Sequence, residues 1–358
     1  MRAAWRRDPG SGLRAASALF GAATHLRNFA YDVGLIEPRE PPLPVVSVGG
    51  LTVGGSGKTP LTAELAGSAA LRGLEPAILT HGFADELEVH AHLVPNAVVM
   101  GHPERHRAAG EAHRAGATIA YLDDGFQHRR LARDVDVVAA DVDDLRRCNR
   151  LHLPAGPYRE LWSAVGRADA VVFVRRMRTG RPDELLEFSR RCLPGHVLTS
   201  CRLRPGGVEP FSEGARRVLE KGDEPDPATA VASVMKPEIF LDQVATLGFR
   251  PSESYLLPDH GRLPDTLLAA LDEGGGGGGV IGTLKDVVKL RSALAPATPL
   301  WCLKDELVWD VSPQPLLRLV TDGAVSRGRR RLAGGEGSEG SGPFRADRRR
   351  RWREASGE

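Results

Sequence analysis

"VVSVGGLTVGGSGKTP", residues 45–60, decides how the rest of the chain is read. A β-branched run ends in glycines and feeds a segment whose Pro60 is tolerated in a first helical turn, so the order is strand, loop, helix. Such a loop aims several backbone N–H groups at one point, and the helix N-terminus adds partial positive charge, so that point suits a phosphate. Gly57, Lys58 and Thr59 have the lettering that ends a phosphate loop. There Lys58 would reach the β/γ-phosphates and the Thr59 hydroxyl would hold Mg²⁺. The general pattern places a glycine where this chain has Thr52. From these residues alone, two readings stand: a variant phosphate loop formed by Thr52, Val53, Gly54, Gly55, Ser56, Gly57, Lys58 and Thr59, or a plain flexible turn. Strand, loop and helix in this order favour nucleotide binding.

Working outward, the 358 residues suffice for two ordinary domains. A composition 41% apolar and 26% charged is that of a globular protein. The net charge of +2 argues against a polyanion binder, so no nucleic-acid partner is expected. Basic residues cluster at the two ends: Arg2, Arg6, Arg7 and Arg14, then Arg345, Arg348 to Arg351 and Arg353. The cysteines, Cys148, Cys192, Cys201 and Cys302, are scattered without a CxxC pair, which fits a reducing compartment rather than a zinc site or a disulfide framework. No apolar run reaches the roughly 18 residues of a spanning helix, and no cleavable signal stands out.

Residues 11–33 read as a helix, with Leu19, Phe20, Ala23, Leu26, Ala30 and Val33 recurring at three- and four-residue steps. It either packs on its own domain or lies in a membrane interface. After the stop "PREPPLP", strands are expected at "VVSVGG", "EPAILTHGF", "NAVVMG", "ATIAYLDDGF", "DVDVVAAD" and "ADAVVFV", with helical segments between most of them. This alternation predicts an α/β fold with a doubly wound, mostly parallel sheet of P-loop NTPase type. "VLTSCRLRPGGVEP" is expected to be a ribbon around a Pro-Gly-Gly turn leading to a second, smaller α/β domain. The predicted domains are an N-terminal interfacial helix over 1–37, a P-loop domain over 38–199, a second domain over 200–330 and a disordered basic tail over 331–358.

Other stretches carry chemistry. "YLDDGFQHRRL" ends a strand in two carboxylates, where a parallel sheet places ligands; Asp123 and Asp124 are candidates to complete a Mg²⁺ shell, although DDG is also good turn chemistry. "HLPAGPYRE" is a rigid loop carrying Arg159 and Glu160. "YLLPDHG" offers His260, and "GTLKDVVKL" puts Lys285 at a strand-to-helix junction. Each of these last three is, by itself, better read as structural.

Taken in order, "VGGLTVGGSGKTP", "DDGFQHRRLARDVDVVAAD", "LPAGPYRE", "KPEIF", "LPDHG" and "GTLKDVVKL" resemble the landmarks of the tetraacyldisaccharide 4′-kinase family, the lipid A kinases of Gram-negative bacteria. The resemblance runs from about residue 13 to about residue 320, and Thr52 matches that family's own form of the loop. It implies transfer of the ATP γ-phosphate to the 4′-hydroxyl of a lipid A disaccharide precursor, with ATP and Mg²⁺ as cofactors and no obligate protein partner. It further implies a base at Asp85 paired with His260 from the facing domain, and a role near nucleotide or substrate for Arg159 and Glu160. The N-terminal helix would sit, as a peripheral or monotopic element, on the cytoplasmic face of the inner membrane. The sequence departs from the family pattern at "THGF", where His81 replaces an arginine, at Gly261 and at Leu284. The competing reading is a degenerate membrane-associated nucleotide-binding protein without kinase activity.

Overall fold

The structure, a computed structural model, describes residues 9–147, 149–176, 182–215, 218–219, 229–258, 261, 263–272 and 279–333. In chain order the first elements are α1 (Ser11–Asp32), β1 (Val45–Gly49), α2 (Lys58–Ala70), β2 (Pro76–Thr80), α3 (Ala84–Leu93), β3 (Val98–Gly101), α4 (Arg105–Arg114), β4 (Ile119–Asp123) and β5 (Val135–Asp141). Next come α5 (Val142–Arg147), a 3₁₀ turn (Trp162–Arg167), β6 (Ala170–Arg176), α6 (Asp183–Cys192) and β7 (Val197–Pro210). The remaining elements are β8 (Thr229–Ala232), α7 (Pro237–Thr246), β9 (Glu253–Leu256), α8 (Asp265–Asp272), β10 (Val280–Thr283), α9 (Leu284–Ala293) and β11 (Leu300–Trp309). A last helical stretch joins α10 (Gln314–Arg318), a π-helical turn (Leu319–Gly323) and α11 (Ala324–Ala333). Over the described residues, one compact unit takes in 9–83, 93–202 and 309–333, and a second takes in 84–92 and 203–308.

In the first unit the strands run in the order β3-β2-β4-β1-β5-β6, all parallel. Every residue of β1, β2 and β5 is buried, as expected of parallel strands covered on both faces. Alternate residues of β2 and β4 (Ala77 and Leu79, Ala120 and Leu122) pack on Ala108, Ala109 and Ala112 of α4. On the opposite face Tyr121 is fully buried and its hydroxyl donates to the Val320 carbonyl at 3.0 Å, so the C-terminal helical stretch covers that side. This is the doubly wound α/β arrangement the sequence predicts. The second unit is also α/β, with β11-β10-β8-β9 parallel and apolar cores built around Phe240 and Trp301 and around Leu263 and Leu290.

Three features differ from the reading of the sequence. "RPGG" is not a turn: β7 continues as one strand through Pro205, Gly206 and Gly207. A side chain at Gly206 would run into that of Glu306, so the glycine serves close approach. The segment from Trp309 onward does not belong with the second domain. It returns to the first unit, where Trp309 donates to Glu64 at 3.3 Å and Arg175 holds Asp310 at 2.6 Å. Residues 84–92, inside the predicted P-loop domain, pack with the second unit instead. Of the predicted tail, residues 331–333 finish α11, and 334–358 lie outside the described residues.

The start of β1 depends on α11. The buried Asp134 carboxylate accepts the Val45 N–H at 2.8 Å and is held by Arg331 Nε at 3.1 Å. Removing one partner of a buried ion pair leaves a charge without compensation. We therefore expect Arg331→Leu to lower unfolding free energy by about 2 kcal/mol, less than a fully enclosed pair because Arg331 is partly exposed. Urea denaturation at neutral pH measures it.

Candidate functional site

The parallel register pairs Val48 of β1 with Asp123 of β4, so the two strands end side by side. From the end of β1 the chain enters the glycine loop. Gly54, Gly55 and Gly57 have φ values of 62°, 62° and 78°, a left-handed geometry that glycine adopts at little cost and that turns successive N–H groups to one side. Gly57 is the residue before α2, so Lys58 and Thr59 open that helix, where its dipole favours an anion. Thr52, in the position usually glycine, is buried and donates to Asp144 Oδ2 at 3.1 Å. Arg176 Nη2 donates to the Gly55 carbonyl at 3.0 Å and pins the loop tip.

The two carboxylates at the tip of β4 face different partners. Asp123 accepts from the Thr59 hydroxyl at 3.0 Å and from the Thr62 hydroxyl at 3.1 Å. Asp124 adopts φ 52°, a left-handed conformation tolerated by aspartate. Its Oδ2 accepts from Arg159 Nη1 at 2.7 Å, and its Oδ1 lies 3.6 Å from Lys58 Nζ. Among the described residues that buried Oδ1 finds no hydrogen-bond partner. A hydroxyl and a carboxylate beside an anion-binding loop form the hard oxygen set that suits Mg²⁺, which takes one or two carboxylates and completes its shell with phosphate oxygens.

The loop of residues 151–160 lies against the glycine loop through its backbone. Val53 N–H donates to Pro157 O at 3.0 Å and Arg159 N–H to Leu51 O at 2.8 Å. This places Arg159 on Asp124. Glu160 turns inward and is 2% exposed, gripped by both Arg167 Nη atoms at 2.7 and 3.1 Å. Burial alone would raise its pKa; the Arg167 guanidinium and the amides of Asn28 and Gln127 outweigh that and hold it below the usual carboxylate range. Glu160 is thus a buried anchor for the loop.

Of the predicted site residues, Thr52 to Thr59, Asp123, Asp124, Arg159 and Glu160 come together in the first unit. Asp85 and Lys285 belong to the second: Asp85 lies on α3 with Lys289 Nζ at 3.6 Å, and Lys285 opens α9. His260 lies outside the described residues. The residue reading missed Thr62, Asp144, Gln127 and Arg176. Thr62 is three residues from Thr59, hence on the same helix face, and Asp144 lies on α5, just beyond the end of β5; both signals were present in the sequence.

Against this geometry, comparison with known proteins is specific. Residues 11–97 and 91–322 match the family model of tetraacyldisaccharide-1-P 4′-kinase. The chain belongs to the tetraacyldisaccharide 4′-kinase family. It is 32% identical to the tetraacyldisaccharide 4′-kinase of Geobacter sulfurreducens over 86% of this chain and 91% of that protein. It is 34% identical to the one of Anaeromyxobacter dehalogenans, covering 82% of this chain and 86% of the relative. The crystal structure of LpxK from Aquifex aeolicus in complex with ATP superposes with a TM-score of 0.68 at 25% identity, over 88% of this chain and 99% of that one.

One family landmark also carries a titration. In "DDGFQH", burial pushes the His128 imidazole down to about 4, helped by the positive charges of Arg105, Arg133 and Arg130. In the unfolded chain it titrates near 6.5. Between these values the unfolded state binds more protons, so stability falls as pH falls from about 6.5 to about 4 and is level in this group above that window. His128→Gln should flatten that part of the stability–pH curve, measured by denaturant unfolding at half-unit intervals.

Proposed function

We infer that this chain is an ATP-dependent kinase that phosphorylates the 4′-hydroxyl of tetraacyldisaccharide 1-phosphate, a step of lipid A biosynthesis. The observation that carries it is the pairing of a glycine loop with two carboxylates of divided role, in a chain that matches this family from residue 11 to residue 322. Phosphoryl transfer needs little covalent help; it needs in-line placement and neutralisation of charge on three oxygens. The backbone N–H groups of residues 54–59 would bind the phosphates, with Lys58 on the β/γ-oxygens. Thr59 and Asp123 would hold Mg²⁺, which supplies Lewis-acid neutralisation of the phosphate oxygens. Asp124 orients Lys58 and Arg159 as a pair of cations at the mouth of the loop.

The attacking sugar hydroxyl must lose a proton. Asp85, partnered by His260, is the proposed base, on the strength of the family motifs; Lys285 is proposed to sit near substrate. Helix α1 supports a lipid-facing role. Its inward stripe is small or polar, with Ser17 and Asn28 buried, whereas Leu19, Leu26 and Phe29 are 73%, 70% and 56% exposed. A helix packed only on its own domain would bury the apolar stripe instead. An outward apolar face flanked by Arg14 and Arg27 suits a membrane interface with anionic headgroups, and ATP supply assigns it to the cytoplasmic face of the inner membrane. No described helix is long and apolar enough to cross a membrane.

The test is formation of the bisphosphorylated lipid from Mg-ATP and tetraacyldisaccharide 1-phosphate in detergent micelles. Wild type should make product. Lys58→Ala should lose more than about 10³-fold in turnover. Asp85→Asn should lose about 10²-fold or more with ATP affinity unchanged. ATP binding by wild type without product would support the degenerate nucleotide-binding protein, and full turnover by Asp85→Asn would remove Asp85 as base.

A further inference from the structure

The inward stripe of α1 meets both loops that build the site. Ser17 Oγ donates to the His152 carbonyl at 2.7 Å, at the start of the loop that carries Arg159. Arg129, two residues after Gln127, donates to the Asn28 carbonyl at 2.8 Å, pairs with Asp32 at 2.9 Å and lies over the Tyr31 ring at 4.9 Å. Between these contacts, Asn28 sends its amide into the protein. It is 4% exposed, and Nδ2 donates to Glu160 Oε2 at 2.6 Å.

Glu160 is a junction. Its Oε2 is shared by Asn28 and Arg167, and its Oε1 by Arg167 and Gln127 Nε2, the latter at 3.1 Å. The same Gln127 amide donates to the Gly50 carbonyl at 3.0 Å, where β1 passes into the glycine loop. Gln127 Oε1 in turn accepts from Arg159 Nη1 at 3.5 Å, and that guanidinium holds Asp124. A continuous set of hydrogen bonds therefore runs from α1 to the loop backbone and to the Asp124–Lys58 pair. A buried carboxylate satisfied from four directions has one position; with one donor removed it can shift or take up another partner.

We propose that Asn28 is a positioning residue for phosphoryl transfer, through which the docking of α1 sets Glu160, Gln127 and Arg159 in their catalytic arrangement. The helix with the outward apolar face is the same helix that holds the active-site loops from behind. Turnover is thereby coupled to how α1 is seated. Asn28 is buried, and its effect passes through Glu160 and Gln127.

The proposal rests on the kinase reading, and the experiment separates the two. Asn28→Leu is close in volume, favours the helix and lacks the amide donor, so the chain is expected to fold. Turnover is measured in detergent micelles, where membrane seating is not required, alongside ATP affinity from a fluorescent analogue. The expected result is a fall in kcat of about tenfold or more with ATP affinity within about twofold, since misplacement of supporting groups acts on the transition state. Gln127→Ala should also be slow, and the double variant should be no slower than Gln127→Ala alone, because both act through one junction. Unchanged kcat in Asn28→Leu, or losses that multiply in the double variant, would overturn the role of Asn28. An inactive wild type would instead sink the kinase reading on which it stands.

Discussion

The structure depends on two parallel strands ending at the same level. Val48 and Asp123 are partners in the β1–β4 register, so the chain leaves both strands at one edge of the sheet. Backbone N–H groups converge from one exit and carboxylates from the other. Everything else at the site follows from holding these exits at fixed separation. Helix α2 begins where its dipole helps bind an anion, and its Thr59 and Thr62 reach Asp123 from the side. The buried Thr52–Asp144 bond and the Arg176–Gly55 contact hold the loop from the β5 and β6 side.

A parallel sheet needs both faces covered, and this chain covers them from distant parts of its sequence. The helical stretch 314–333 closes one face after the chain has completed the second unit, and its Arg331 and Arg327 reach Asp134 and Asp169 beneath the strand starts. The opposite arrangement holds for α1, whose small and polar stripe packs inward while its large apolar residues remain outside. That division lets one helix support the site while its large apolar side chains stay available for the membrane-interface role proposed above.

Much of the first unit was legible because its strands are short apolar runs ending in turn chemistry and most of its crossovers carry a helical pattern. The site was legible where strand tips carry unusual residues, as at Lys58, Asp123 and Asp124. What was not legible depends on contacts remote in sequence. "RPGG" has the lettering of a turn, yet its glycine is needed by Glu306, a hundred positions on. Residues 84–92 carry no mark that they pack with the second unit, since their partners Lys289 and Arg291 are on α9. The roles of Glu160 and Asn28 depend on burial, which a local pattern does not encode.

The proposed mechanism rests on the two carboxylates at the tip of β4 not being equivalent: Asp123, on the Thr59 and Thr62 hydroxyls, is proposed for the metal, and Asp124, which the sequence also offered to Mg²⁺, for the cations Lys58 and Arg159. Mg²⁺ titration of nucleotide binding, followed by calorimetry with Asp123→Asn and Asp124→Asn side by side, tests it most directly. The account predicts that Asp123→Asn raises the Mg²⁺ concentration needed for half-maximal binding by about tenfold, whereas Asp124→Asn leaves it within about twofold of wild type. Equal shifts in both variants, or a shift confined to Asp124→Asn, would contradict it.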